Sequence, residues 1–583
     1  MPPAGFRPDP AGGDAPQKVA ARRGFSVSYR GISLLSRIDP PAQGERLAGG
    51  VKKAERTLYF CPSPLLGYGL PELLERLGKD SAVLCVEGDE KLLALAAEEM
   101  GGLLSPGEGF RRLALVRAPD GASLCAAVRE IWGARRFRRV EAIRLTGGWR
   151  LMRGYYDSLE AALRREIALD WSNAMTLIRL GRLYARNLAR NLSLLNRGGD
   201  AAALDFGAAP VLVLGAGPSL DGVLKELASR FRDIPPGKRP FRIICVDTAL
   251  PCLRDWGIRP DLVVALESQH WNLRDFVGAG AGELPLAMDF SALNASSRVL
   301  KGKLWLFSTP WTRLNLLDRL EKGGFLPLRL PPLGSVGLSA VSLALKAAGG
   351  PVITGGIDFS FTLDKYHARS SPGHLEWLEK HTRFSGVLNL PAFRKGAASL
   401  PSKNGEPVLS DPGLRSYRDL FEMEFGGPGG EGRLRDIAGS GLPLGIPVIS
   451  TGEALALLEG SGPEAAGGTT PEPPSPAALP RGSPPVRGGQ EGPARPGLGA
   501  FICGEEEALE ELRGMLAGEA PPRRDRLEYL LDYCDYLWAH FPECAGAGGR
   551  RPPGDDLSFL KRVRAEIDPF RKLFRLSLKE LGS

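Results

Sequence analysis

Two glycines, a proline and a serine separate an all-apolar run from a helical pattern in VLVLGAGPSLDGVLKEL, Val211 to Leu227. A corner so poor in side-chain bulk suits phosphate chemistry. Gly215 and Gly217 permit positive φ and close backbone approach. Pro218 fits a helix start, and Ser219 an N-cap. The helix beginning there would turn free N–H groups and a positive dipole end toward an anion. A ligand-free tight turn would use the same residues, so the corner needs companions.

Three sets of companions follow. Asp247 ends the next apolar run, FRIICVD, and Glu267 ends DLVVALE, which places both carboxylates at the presumed C-terminal edge of a sheet. Open α/β sheets bind ligands at that edge, and an acidic strand end suits ribose or a metal. Asp247 stands further from the glycine turn than the usual ~20 residues, with IPPGKRP inserted between, and a solvated carboxylate is the competing reading. Next, PPLGSVGLSAVSLALKAAGGPVITGGIDFSF offers a second helix start at Gly334 and Ser335, then Asp358 behind two glycines. Ser339, Ala340 and Ala344 would let that helix lie close to a sheet. Last, DKYHARSSPGHLEWLEKH holds His367, His374 and His381, three of the five histidines. His367, in a loop, is the candidate for proton transfer near neutral pH. His374 and His381 suit packing or surface roles.

The elements that must position these residues read as alternating strands and helices, hence an α/β fold with a parallel, Rossmann-like sheet. The chain of 583 residues exceeds a single core. Residues 1–24 are Pro/Gly-rich and read as disordered; 25–150 as a smaller N-terminal α/β domain; 151–205 as a helical connector. Residues 206–460 form the central nucleotide-binding domain, 461–500 a low-complexity linker, and 501–583 a helical C-terminal region. Lys plus Arg number 75 against 67 Asp plus Glu, a balance of +8 without a basic aromatic stripe, so no nucleic-acid partner is expected. Eight cysteines without a CxxC pair, no signal peptide and no apolar run of ~18 residues point to a cytoplasmic chain without membrane insertion.

In kind and order, VLVLGAGPSLDGVLKEL, VDTALPCLRDWGIRPDLVVALESQ, GSVGLSAVSLAL and ITGGIDFSFTLDKYHA resemble the motility accessory factor (Maf) glycosyltransferases. The central domain of that family also covers 6-hydroxymethylpterin pyrophosphokinase-like proteins and is similar to bacterial sialyltransferases. The resemblance spans about residues 155 to 390, and PSPLLGYGLPELL extends it to the N-terminal domain. It implies transfer of a nonulosonic acid from a CMP-activated donor to serine or threonine of flagellin or another protein acceptor, with no cofactor required. Carried onto this chain, Gly215, Gly217, Pro218 and Ser219 would hold the donor nucleotide and Asp247 would lie near ribose or cytosine. Gly334 and Ser335 would face the CMP phosphate, Asp358 would shape the pocket, and His367 would stand where a base is needed. The pyrophosphokinase alternative needs ATP and Mg²⁺, with Asp247, Glu267 or Asp358 as ligands. A non-catalytic flagellar accessory protein is the third reading.

A second glycine turn, LLGYGLPEL with Glu87 at the next strand end, has the spacing of an S-adenosylmethionine or dinucleotide site. Pro62 and Pro64 crowd it, so a structural or acceptor-recognising domain is the expectation there.

Overall fold

The computed structural model describes residues 15–78, 80–104, 111–133, 136–279, 283–394, 396–426, 432–460, 497–519, 523–545 and 551–582. The chain divides into two compact units: 1–181 with 538–553, and 182–537 with 554–583.

The first unit centres on a four-stranded parallel sheet in the order Leu113–Val116, Ala82–Val86, Thr57–Pro62, Arg139–Ala142. Thr57–Pro62 and Ala82–Val86 are buried along their whole length, as their continuous apolar runs require of strands covered on both faces. A three-stranded antiparallel sheet (Gln17–Ala20, Phe25–Tyr29, Ile32–Ser33) precedes it. The disordered reading of 1–24 therefore fails at its end, because Gln17–Ala20 pairs in register with Phe25–Ser28. Residues 1–14 of that segment, and 461–496 of the expected linker, lie outside the described residues.

The second unit carries a ten-stranded sheet, parallel throughout. After the short strand Gly199–Asp200, the chain takes a central place at Val211–Leu214 and steps outward through Arg242–Val246, Leu262–Ala265, Leu286–Asp289, Leu304–Ser308 and Leu328–Arg329. It then returns to the other side of Val211–Leu214 as Val352–Gly355, followed by Leu434–Ile437 and Val448–Ile449. The reversal puts a topological switch point between Val211–Leu214 and Val352–Gly355, where such sheets open a crevice at their C-terminal edge. Helix Val336–Ala347 buries nine of its residues against the sheet, and Ser339, Ala340 and Ala344 are among them. Small side chains at those positions permit the close approach.

Two expected boundaries shift. Helix Arg153–Asn191 runs past the connector's midpoint, and Gly199–Asp200 then pairs with Trp305 and Leu306 as a strand of the large sheet. The connector's end thus belongs to the second unit's core. The C-terminal helices Leu498–Ala517, Arg524–Tyr533 and Leu557–Leu581 also belong largely to that unit. Glu505, fully buried, receives both Arg319 nitrogens at 2.9 Å, and the Asp535 carboxylate receives the Asn315 amide at 2.7 Å.

Candidate functional site

Gly215, Gly217, Pro218 and Ser219 do form a strand-to-helix corner, with the helix running Leu220–Phe231. The corner is filled from within the unit. The amides of Gly215 and Gly217 donate to the carbonyls of Gly355 and Gly356 at 2.9 and 2.8 Å. A Cβ at Gly217 would stand 2.5 Å from Asp358 Oδ2 and 2.7 Å from the Gly356 carbonyl; one at Gly215 would stand 2.5 Å from that carbonyl. Gly356 itself has φ +71°. Two chain segments abut here, and glycine is what lets them. Asp358, buried, then accepts from the Ser219 amide at 2.7 Å and from its hydroxyl at 2.5 Å. The carboxylate takes the place at the helix start that was expected for a nucleotide phosphate. Ser219 has helical φ and ψ and does not cap the helix with its own side chain.

The second glycine-marked helix start differs. Gly334 is exposed with φ +71° and faces the Tyr417 ring, to which a Cβ would come within 3.2 Å. Ser335 is extended, and among the described residues no side chain accepts from the first amides of Val336–Ala347. Burial, then the carboxylates of Asp411 and Glu267, push the Tyr417 phenol upward. Glu267 is exposed and accepts the Gln269 amide at 2.9 Å.

Asp247 sits at the sheet edge as expected, but buried. Its Oδ2 accepts from Asn272 Nδ2 at 2.7 Å and its Oδ1 from the Thr248 amide at 2.8 Å. Desolvation, then the Asp275 carboxylate, raise its pKa to about 7. Beside it a cavity of about 260 Å³ is walled by Thr248, Asp275, Arg274, His367, Tyr366 and Arg394, among others. The loop bearing His367 is tied to the helix after the glycine corner: Asp221 accepts from Lys365 Nζ at 2.8 Å and from the Arg369 amide at 3.0 Å. The Ala368 amide donates to the Ala216 carbonyl at 2.9 Å, and burial pushes the pKa of the adjacent His367 down to about 4. The imidazole is therefore neutral at physiological pH. His374 is buried on the same cavity wall, whereas His381 is exposed and accepts from the Val387 amide at 3.2 Å.

The structure thus places His367 on the cavity wall with Asp247 behind that wall, and leaves Glu267, Gly334 and Ser335 along the sheet edge near Tyr417. Asp358 is withdrawn behind the glycine corner. Asp358 is committed to Ser219, which leaves Asp247 and Glu267 of the residues named for Mg²⁺. Among the described residues, no group of three His, Cys, Asp or Glu is placed to hold a metal ion. Asn272 and Asp275 were missed by sequence reasoning. Their spacing of three in HWNLRDF, one turn of the short helix His270–Phe276, was the available signal.

In the first unit the turn before helix Leu70–Arg76 is packed shut. A Cβ at Gly69 would stand 2.5 Å from the Gly44 carbonyl, and one at Gly44 would stand 2.6 Å from the Tyr68 backbone. Glu87 is buried and accepts from the Tyr156 hydroxyl at 2.8 Å; burial raises its pKa. These glycines answer to a neighbouring helix, Pro40–Gly49.

Residues 184–364 match the family described as 6-hydroxymethylpterin diphosphokinase MptE-like. An uncharacterized protein of Treponema pallidum (strain Nichols) is 28% identical over 580 residues, covering 96% of this chain and 95% of its own. The solved structure of a Maf glycosyltransferase from Magnetospirillum magneticum AMB-1 superposes with a TM-score of 0.52 at 16% identity, covering 98% of this chain and 92% of the other. No described helix is long and apolar enough to cross a membrane. Residues 184–364 of the second unit are thus similar to the MptE-like family, and the chain has the fold seen in a Maf glycosyltransferase.

Proposed function

We propose that this chain is a glycosyltransferase that moves a nonulosonic acid from a CMP-activated donor to a serine or threonine hydroxyl of flagellin or another cytoplasmic protein acceptor. The observation that carries the reading is the cavity beside the switch point, whose wall combines proton-handling groups, Asp275 and His367, with the cations Arg274 and Arg394. Loss of CMP through an oxocarbenium-like transition state asks for little else: positive groups for the departing phosphate and one acceptor for the hydroxyl proton. The uncapped start of helix Val336–Ala347 supplies amides and a positive dipole end for the phosphate. The plugged corner at Gly217 moves the phosphate assignment wholly onto Gly334 and Ser335, and no metal is assigned a part in the reaction.

The match of residues 184–364 to a diphosphokinase family favours a second reading, pyrophosphoryl transfer from ATP. Calorimetry with CMP and with ATP plus Mg²⁺, followed by an assay of CMP release from CMP-N-acetylneuraminate in EDTA, separates the two. CMP binding with metal-independent release is expected. Binding of ATP alone, with AMP formed, would replace the transferase reading. Capture of flagellin with neither nucleotide bound would leave an accessory protein.

A further inference from the structure

We propose that Asp275 accepts the proton of the incoming hydroxyl, with Asp247 as the buried carboxyl that positions it and shares its charge; the proposal rests on the transferase reading above. The two side chains are bridged twice. Asn272 Nδ2 lies 2.7 Å from Asp247 Oδ2 and 3.3 Å from Asp275 Oδ2, and Thr248 Oγ1 lies 3.4 Å from Asp247 Oδ1 and 3.5 Å from Asp275 Oδ2. Ser296 Oγ donates to Asn272 Oδ1 at 3.2 Å, which fixes the amide with its NH₂ toward both carboxyls. Of the pair only Asp275 lines the cavity, while Asp247 lies behind it. One carboxyl is thus presented to substrate and the other is held out of its reach.

Electrostatics suit the assignment. Carboxyls that share a desolvated corner resist being charged together. Burial raises Asp275 to about 6, Arg274 at 4.0 Å opposing and Glu267 adding to the rise; Asp247 is raised further. Asp364, Tyr366, His367, His374, Glu376 and Arg394 share the cavity wall with the group, and Glu376 is paired with Arg274 at 2.8 Å. A base works best with a pKa near the operating pH. His367, pushed down to about 4 by burial, is the poorer acceptor. In the transfer the hydroxyl O–H bond breaks and its proton passes to Asp275. The hydroxyl oxygen forms the new bond to the anomeric carbon, and the old carbon–oxygen pair leaves with the CMP phosphate.

Because the base must be ionised, kcat should rise with pH along an acidic limb. The test measures CMP release from CMP-N-acetylneuraminate by the full chain, with CMP affinity by calorimetry. Asp275→Asn should lower kcat by about 10²-fold or more while CMP affinity stays within about twofold. Asp275 ionises while Asp247, raised further, is still neutral, so the wild-type acidic limb should show two ionisations, and Asp247→Asn should keep the lower one and lose the upper. A purely structural role of Asp247 would leave the two-step profile unchanged. Turnover by Asp275→Asn within about threefold of wild type, or a two-step limb that survives in Asp247→Asn, would overturn the proposal and leave the transferase reading standing. A wild-type chain that neither binds CMP nor releases it from the donor would remove both.

Discussion

The two glycine-marked helix starts of the second unit look alike in sequence and differ in what meets their amides. At Leu220 the neighbouring strand's continuation, Gly356 to Asp358, is laid across the corner, and a buried carboxylate binds Ser219. At Val336 no described side chain takes that place. Glycine between strand and helix therefore reports close approach of something, and that something can be the protein's own backbone. The first unit repeats the lesson, with Gly69 against Gly44.

The comparison can be broken at three points. The largest effect belongs to Gly217→Val. Its Cβ would meet a backbone carbonyl at 2.7 Å that cannot withdraw without opening the sheet edge. Such overpacking should cost about 4 kcal/mol or more, read as a collapse of Tm. An unchanged Tm would mean that the corner is not packed as described. Asp358→Ala should cost about 2 kcal/mol in denaturant unfolding, since it strips a charged acceptor from two donors. It also exposes the helix start, so millimolar phosphate should raise the Tm of the variant by more than that of the wild type. A wild type stabilised equally by phosphate at this corner would erase the contrast. Ser335→Asp has the smallest effect on folding: a carboxylate at that N-cap should add about 0.5–1 kcal/mol of stability. Under the proposed function it should weaken CMP binding at least about tenfold in calorimetry by placing a charge where the phosphate belongs. Unchanged affinity would send the phosphate elsewhere.

Much of the fold was legible because buried parallel strands are short apolar runs between turn signals. Val211–Leu214, Arg242–Val246 and Leu262–Ala265 stand where VLVLG, FRIICVD and DLVVALE placed them. The small strands Gln17–Ala20 and Gly199–Asp200 were not legible: the first is exposed along its length, the second is two residues long, and each exists through its partner. Within the site, Asp247 and His367 announced themselves by residue type. Asp275 did not, because its neighbours Asp247 and Thr248 are some thirty residues away and meet it only across the sheet edge.

What the sequence determined by itself was local: where apolar runs make strands, where glycines allow a backbone to turn, and which titratable groups end those strands. What only the tertiary structure decided was which of those openings stay open. Strand order places Gly356–Asp358 against Gly217, and no spacing along the chain encodes that neighbour. Periodicity is a property of one segment, whereas the occupant of a helix start is a property of two segments that the fold brings together.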